Sequence, residues 1–185
     1  DGLLLGARNK NVTYLTNTEG SVTAFVQEGA LWTYTQNNGK FAQVFDFRKA
    51  AKGDFRDSHT EHDIKLLSVE DDGDVNFMVY GYMNRGSHEG YCGAGIYHYN
   101  HDQNVVEEKV FIPTTESFEF LKSDLGTLSY VNKKNQLFLL LSGSLYQINI
   151  DDSEYKVLAE NIDSNQFAVS ETNAHAAWRI TDGDQ

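Results

Sequence analysis

A pattern of sixteen residues recurs four times along this chain and constrains its fold more than any other feature. The copies occupy residues 14–29, 67–82, 128–143 and 168–183. Each copy is an apolar strand, a polar turn, a second apolar strand and then a glycine, with a one-residue slip in the second copy. Copies that start 40 to 61 residues apart are typical of stacked sheet units, which bury their faces against neighbours.

The repeat continues beyond the shared hairpin. Residues 30–34, 95–99 and 144–148 form a matching third strand, and a polar turn then leads to a fourth alternating strand. Turns rich in Asn, Asp and Gly are the connections that antiparallel hairpins need. Four antiparallel strands joined in this way make a propeller blade. The sequence therefore predicts an all-β, β-propeller-like fold, and the alternative is a β-sandwich of similar hairpins.

The expected units of this single β-repeat module cover about residues 8–48, 64–112, 126–162 and 166–185, and the last is incomplete. The gapless alignment of the second strands places Ala24, Phe77, Phe138 and Trp178 at equivalent positions. We expect these four side chains on the same face of their sheets, as parts of the core.

Three and a half units fall short of the four to eight blades of a closed propeller. Either the chain is a piece of a longer propeller, which we favour, or residues 2–7 complete the last unit and close a small ring. Unpaired strand edges attract other strands. We therefore expect residues 2–7 and 176–181 to pair with each other or with a second copy of the chain.

Net charge restricts the partners. The chain carries a formal charge of −12, which disfavours binding to a phosphate backbone, so no nucleic-acid partner is expected. The longest apolar run, residues 137–141, is far below the ~20 residues of a membrane span, so no transmembrane segment is expected. Cys92 is the single cysteine and excludes an intramolecular disulfide. The acidic, Asn- and Tyr-rich repeat favours the cell envelope or the extracellular space, although the location stays open.

An insertion between the second and third strands of the second unit, residues 82–94, breaks the repeat. Three glycines in this insertion could allow a sharp turn or a close approach to a ligand. Loops on a rigid scaffold often carry function, and this mixture of charged and aromatic groups suits a polar ligand with a stackable face. The alternative is a long solvated hairpin in which Arg and Glu pair with each other. The candidate ligand-binding residues are Tyr82, Asn84, Arg85, His88, Glu89 and Tyr91.

Metal and cofactor motifs are weak in this sequence. His59 and His62 form one H-x-x-H pair, and His98 and His101 form another. The second pair can converge only if the strand ends between its members, because residues i and i+3 of a strand point to opposite faces. The Asp-rich segment 71–74 is better explained as turn chemistry than as a calcium loop. We therefore expect no metal site and no cofactor, and leave open whether any of the four histidines binds a metal.

Catalytic templates are also missing, since neither a G-x-S-x-G motif nor a P-loop occurs. We expect no catalytic residue, and we interpret the chain as a non-catalytic binding or scaffold module that engages a protein or glycan through loops on one face. The alternative function is a glycan-active propeller hydrolase, in which Glu89 and His88 lie near the site. Carboxylates from different blades would leave no local motif for such an enzyme.

Two of the hairpins carry a family resemblance. Residues 67–74 (LSVEDDGD) and 169–173 (VSETN) resemble the bacterial propeller repeats of the TolB-like and WD40-like superfamilies, where a strand leads through an Asp-Gly or Asn-rich turn into the next strand. The insertion string GYMNRG, residues 81–86, with HEG at 88–90, looks like uncharacterised envelope proteins of Gram-positive anaerobes. The resemblance implies a propeller fold and a cell-envelope location.

Overall fold

The computed structural model describes residues 13–46, 62–84, 90–114, 130–131, 135–169 and 176–180. Regular structure in these ranges is β-strand, apart from one 3-10 turn at Gln36–Asn38. Sheet 1 contains strands β1 to β4, and sheet 2 contains β5 to β8. The bounds in sheet 1 are Tyr14–Thr16, Val22–Gln27, Ala30–Thr35 and Lys40–Asp46, and those in sheet 2 are His62–Val69, Val75–Asn84, Gly90–Asn100 and Val105–Thr114.

Sheets 3 and 4 follow in chain order. Sheet 3 contains strands β9 to β12, at Tyr130–Val131, Gln136–Leu141, Ser144–Asn149 and Glu154–Ala159. Sheet 4 contains the hairpin of β13 (Ile162–Val169) and β14 (Ala176–Ile180). Each strand pairs antiparallel with the next strand of its sheet in sequence order. The predicted all-β fold of four-stranded antiparallel, propeller-like units is therefore confirmed.

Apolar layers join consecutive sheets. Ala24 and Leu31 of sheet 1 pack with Phe77 and Val79 of sheet 2. The other face of sheet 2 contributes Met78 and Ile96 to a second layer, which it shares with sheet 3. The far face of sheet 3 packs against Ile162 of sheet 4. We call the face of a sheet that lies toward the next sheet its leading face, and the face toward the preceding sheet its trailing face.

This arrangement shows that the predicted equivalence of Phe77 is wrong. Ala24 and Phe138 lie on the leading faces of sheets 1 and 3, whereas Phe77 lies on the trailing face of sheet 2. Side chains alternate between faces along a strand, so a shift of one residue exchanges the faces. The residue of sheet 1 equivalent to Phe77 is Phe25, because Phe25 pairs with Trp32 where Phe77 pairs with Tyr97. The one-residue slip of the second copy is therefore a change of face.

The remaining predictions about these strands are met in part. Ala24, Phe77 and Phe138 are all buried, as expected, with at most 1% of each residue exposed. Trp178 lies on the second strand of its hairpin, where it pairs with Phe167. Residues 2–7, the proposed closing strand, lie outside the described residues.

The outer strands of sheets 1, 2 and 3 share a β-bulge at the same position. The pairing register shifts between Leu31 and Trp32, between Ile96 and Tyr97, and between Leu145 and Tyr146. In each case the fourth strand contains one extra residue that has no partner on the third strand, namely residue 44, 109 or 158. Bulges twist an edge strand away from flat pairing and lower its tendency to bind other strands. The common bulge supports the third-strand alignment and protects the outer edges of these sheets.

Candidate functional site: the projecting hairpin of sheet 2

The insertion extends strands β6 and β7 instead of forming a long loop. Asn84 pairs with Gly90, Met83 with Tyr91 and Tyr82 with Cys92. Three predicted site residues, Tyr82, Asn84 and Tyr91, thus lie on paired strands at the end of this hairpin. Arg85, His88 and Glu89 belong to residues 85–89, which lie outside the described residues.

The corresponding hairpins of sheets 1 and 3 are short. Gln27 pairs with Ala30 and Leu141 with Ser144, so only two residues separate the strands in each case. The turn residues Glu28 and Gly29 have φ values of 52° and 73°, and Ser142 and Gly143 have 52° and 71°. Positive φ at both positions defines a type I′ turn, whose twist matches that of the flanking strands.

The hairpin of sheet 2 continues where these two turn back. Val79 is the residue equivalent to Leu141, since both lie on trailing faces, and β6 runs five residues further, to Asn84. At about 3.4 Å per residue, the strands extend roughly 17 Å beyond the position of the tight turns. The opposite ends of the sheets remain level, because the Asn17 amide nitrogen of sheet 1 donates to the Asp71 carbonyl oxygen of sheet 2 at 3.3 Å. The extra length therefore projects from one side of the stack.

The base of the projection is held by its neighbouring strands. Gly81 pairs with His62 of β5, and Cys92 pairs with Thr114 of β8. A Cβ atom at Gly93 would overlap the Ile112 carbonyl oxygen and lie 2.7 Å from the Phe111 ring. This glycine permits close packing against β8. Its role is therefore internal to the fold, and the suggestion that it approaches a ligand is not needed.

A buried tyrosine and a carboxylate lie next to this base. The Tyr80 hydroxyl donates to Asp63 Oδ2 at 3.1 Å, and the other carboxylate oxygen of Asp63 accepts from the Ile64 amide at 2.8 Å. Burial, together with the nearby charge of Asp63, raises the pKa of Tyr80 well above its ordinary value. Burial also lowers the pKa of Lys65. Tyr80 thus remains a neutral hydrogen-bond donor at physiological pH.

A polar network that the sequence did not predict lies at the opposite end of sheet 2. His98 Nδ1 lies 3.0 Å from Asn76 Oδ1, and His98 Nε2 lies 3.1 Å from Asp74 Oδ2. The Asn76 amide nitrogen donates to Ser68 Oγ at 3.0 Å and to Glu70 Oε1 at 3.3 Å. Asn76 is only 1% exposed, so these bonds satisfy a buried amide. The network connects three strands and acts as internal structure.

The same network surrounds the acidic turn. Asp74 Oδ1 accepts from the His101 amide at 2.7 Å, and Asp72 Oδ1 accepts from the Asp74 amide at 3.0 Å. These carboxylates are used within the turn, in agreement with the interpretation of segment 71–74 as turn chemistry. A sequence signal was present, since Asn76 and His98 are polar residues within otherwise apolar strands.

The histidine pairs have different outcomes. Strand β7 ends at Asn100, so His98 and His101 both reach the Asp74 carboxylate, His98 through its ring and His101 through its backbone amide. The described residues include no group of three or more His, Cys, Asp or Glu side chains that could hold a metal ion. His59 lies outside the described residues, and only the backbone of His62 is described. Nor does the described part of the chain include a helix long and apolar enough to cross a membrane.

Comparison with solved structures supports the fold. The crystal structure of Porphyromonas gingivalis dipeptidyl peptidase 4 matches 90% of this chain with a TM-score of 0.52 and 10% sequence identity. The match covers 29% of that chain, so the present chain spans less than a third of its length. At this identity, the likeness establishes a shared fold and nothing about activity.

Two further structures are similar at a lower level. The complex of the fission yeast SREBP-SCAP binding domains matches 89% of this chain and 54% of its own, with a TM-score of 0.31 and 11% identity. The WD40 domain of SCAP from fission yeast gives 0.26 at 11% identity, over 87% of this chain and 45% of that chain. These scores are too low to establish a common fold. No family model matches the sequence, and no curated protein matches it.

Proposed function

We propose that the chain is a binding or scaffold module that engages a protein or a glycan through the projecting hairpin of sheet 2. The observation that supports this is the difference in hairpin length at equivalent positions. Sheets 1 and 3 close with a two-residue turn, whereas sheet 2 adds about five residues to each strand.

The added residues carry an entropic cost. Ordering the backbone of each extra residue costs about 1–2 kcal/mol of conformational entropy, which a core contact normally offsets. Among the side chains that the structure describes, the first added residue of each strand, Tyr80 on β6 and Ala94 on β7, belongs to a core layer. Contacts with a ligand would offset the entropic cost of ordering the residues further along the projecting strands.

The chemistry of the segment suits such a ligand. Arg85 can hold a carboxylate or phosphate in a two-point contact, and a tyrosine ring such as that of Tyr82 or Tyr91 can stack on a sugar or peptide. Glu89 and His88 add an acceptor and a titratable donor within the same segment of sequence. Proteins and glycans both offer this combination of polar groups and stackable faces.

A shortened variant tests the proposal without disturbing the rest of sheet 2. Residues 82–92 are replaced by Asn-Gly, which joins Gly81 to Gly93 by a two-residue turn. Gly81 is two residues beyond Val79 and lies on the same face of the strand. The Gly81–Gly93 pair is therefore of the same hydrogen-bonding type as the Val79–Gly95 pair, where the tight turns of the other sheets would follow. The variant removes every candidate ligand-binding residue at once.

Wild type and the shortened variant are applied to one panel of glycans and peptides, with binding and turnover both recorded. We expect ligands that bind wild type and are lost in the variant, while the two proteins unfold at similar denaturant concentrations. Equal binding by a folded shortened variant would refute the assignment. Turnover of a glycan by wild type that disappears in Glu89→Gln would replace binding by the hydrolase alternative.

The TolB-like kinship, the cell-envelope location and self-association through open strand edges belong to the same proposal. The acidic repeat and the resemblance of the hairpins support the first two. Fractionation of cells that produce the protein tests the location, and light scattering of the purified chain tests self-association. Recovery in the cytosolic fraction would reject an envelope location.

A further inference from the structure

The trailing face of sheet 1 is aromatic. Phe25, Trp32 and Tyr34 lie on it by strand alternation and cross-strand pairing, together with Tyr14 and Phe41. The Tyr34 and Phe41 rings are 4.6 Å apart, and the Phe41 ring meets Phe25 edge-on at 6.3 Å. We call these five side chains the outer face of sheet 1.

Phe25 itself is buried, with 1% of its surface exposed, whereas the side chains around it on this face are partly open to solvent. Tyr14 is 61% exposed and Phe41 is 39% exposed, and both are among the few large apolar side chains with this much exposure in the described residues. Trp32 and Tyr34 are half-buried. In a chain of net charge −12, the middle of this face carries no charged residue. Exposed apolar surface of this kind marks an interaction site.

The equivalent positions in the next two sheets show what covers such a face. Phe25, Trp32 and Tyr34 correspond to three residues of sheet 2 that pack against sheet 1, namely Phe77, Tyr97 and Tyr99. They also correspond to three residues of sheet 3 that pack with sheet 2, namely Leu139, Tyr146 and Ile148. At both interfaces the trailing face is therefore covered by the leading face of the preceding sheet.

We propose that the outer face of sheet 1 is the docking surface for a further four-stranded β-sheet, which packs on it as sheet 1 packs on sheet 2. The occupant presents an uncharged leading face of mainly aliphatic side chains with one aromatic ring. Sheet 1 provides the pattern for such a face with Ala24, Val26, Leu31 and Phe45. The Phe45 ring meets the Phe77 ring of sheet 2 at 5.1 Å and the Tyr97 ring at 5.3 Å.

The test compares the 185-residue chain with a longer chain, in which a second copy of residues 13–61 precedes residue 13. Both proteins carry Trp178→Phe, so that Trp32 is the tryptophan observed in the parent chain. In the longer chain the duplicated tryptophan is changed to Phe as well. Acrylamide quenching of Trp32 fluorescence then measures the exposure of the outer face, and light scattering gives the oligomeric state.

We expect a monomeric parent in which acrylamide reaches Trp32, and a quenching constant about threefold lower in the longer chain, because a half-exposed indole becomes buried. The longer chain should also unfold at a higher temperature. Phe41→Lys in the original copy should remove both effects. Val157→Lys provides the matched control, since Val157 is 46% exposed on the outer strand of sheet 3 and should change neither.

Three results would overturn the proposal. A Trp32 that is protected in the monomeric parent would show that the chain covers this face itself. A parent dimer that Phe41→Lys dissociates would make a second copy the occupant. Unchanged quenching in the longer chain would show that a sheet of this kind does not fit the face.

Discussion

The central hairpins of sheets 1 and 3 can be compared directly with that of sheet 2. All three start at the same side of the stack and have the same bulge opposite their third strand, yet only the hairpin of sheet 2 continues past the point where the others turn. The shorter hairpins show what the fold requires, which is six residues and a two-residue turn. Beyond that length, sheet 2 adds Tyr80 and Ala94 to the core and then continues to Asn84 and Gly90, where we propose that a ligand binds.

The two ends of sheet 2 differ in a similar way. At one end, Asp74, Asn76 and His98 form a closed network whose polar atoms bond to one another. At the other end, the paired strands continue to Asn84 and Gly90. A polar network that satisfies itself stabilises the fold, whereas the projecting end is where we propose that a ligand binds. Four predictions test this division, from the largest expected effect to the smallest.

The largest effect on stability is expected from the core layer between sheets 3 and 4, to which the short hairpin of sheet 3 contributes Phe138. Phe138→Ala should lower the free energy of unfolding by roughly 3–5 kcal/mol, because the side chain is buried between sheets 3 and 4 and its removal leaves a cavity. Urea unfolding at equilibrium measures the change. Val157→Ala, at an exposed position in the same sheet, should cost less than about 0.5 kcal/mol. A small effect of Phe138→Ala would remove this side chain from the core.

The second effect concerns the polar network of Asp74, Asn76 and His98, at the end of sheet 2 opposite the projecting hairpin. Asn76→Ala should cost about 1–3 kcal/mol, since it removes a buried amide that bonds to the partly buried side chains of His98 and Ser68. The same urea experiment applies, and Gln103→Ala is the control because its exposed side chain lies on the neighbouring turn. If Asn76→Ala unfolds at the wild-type midpoint, the network contributes no stability, and a ligand-binding role at this end gains support.

The third effect tests the tight turn itself. Gly143→Ala should cost about 1–2 kcal/mol, because a φ of 71° places an L-residue in the left-handed region. Ser142→Gly, at the adjacent position of positive φ, should be tolerated. The midpoint temperature of thermal unfolding measures both. A tolerated Gly143→Ala would mean that the turn changes type and that the length of this hairpin is not fixed by its backbone.

Much of this architecture is predictable from sequence, for a physical reason. Alternation of apolar residues and Asn/Asp/Gly turns identifies the strands, and the matching third strands at Leu31, Ile96 and Leu145 are confirmed by the shared bulge. The face of Phe77 is predicted wrongly because the one-residue slip is visible only at the end of the repeat. Within the strand, Val75, Phe77, Met78 and Val79 are all apolar, so alternation does not show which residues face which side. Only the packing of whole sheets against each other decides which residues lie on the leading face and which on the trailing face.

The candidate site was harder to predict. The insertion was visible, but Tyr82 and Tyr91 were assigned to a loop, since glycine-rich sequence suggests irregular backbone. The structure shows that Gly93 serves close packing with Phe111, a contact between strands that no local pattern reveals. Asn76 and His98 stand out in the sequence as polar residues within apolar strands, but their partners cannot be predicted, because the members of the network come from three strands.

The smallest effect concerns Tyr80, where the core of sheet 2 meets its projection. Tyr80→Phe removes the hydrogen bond to Asp63 and should cost about 0.5–1.5 kcal/mol at neutral pH.

The contribution of Tyr80 should also depend on pH. Its raised pKa means that Tyr80 keeps its proton in the folded state at a pH where it loses the proton in the unfolded state. The contribution is therefore complete below the ordinary tyrosine pKa of about 10 and declines as the pH rises above it. Urea unfolding of wild type and Tyr80→Phe between about pH 7 and pH 11 should show the difference in stability shrinking at the alkaline end. Tyr14→Phe, which removes a tyrosine hydroxyl at an exposed position, is the control. A difference that stays constant over this range would show that Tyr80 ionises equally in both states, and that the base of the projection is open to solvent.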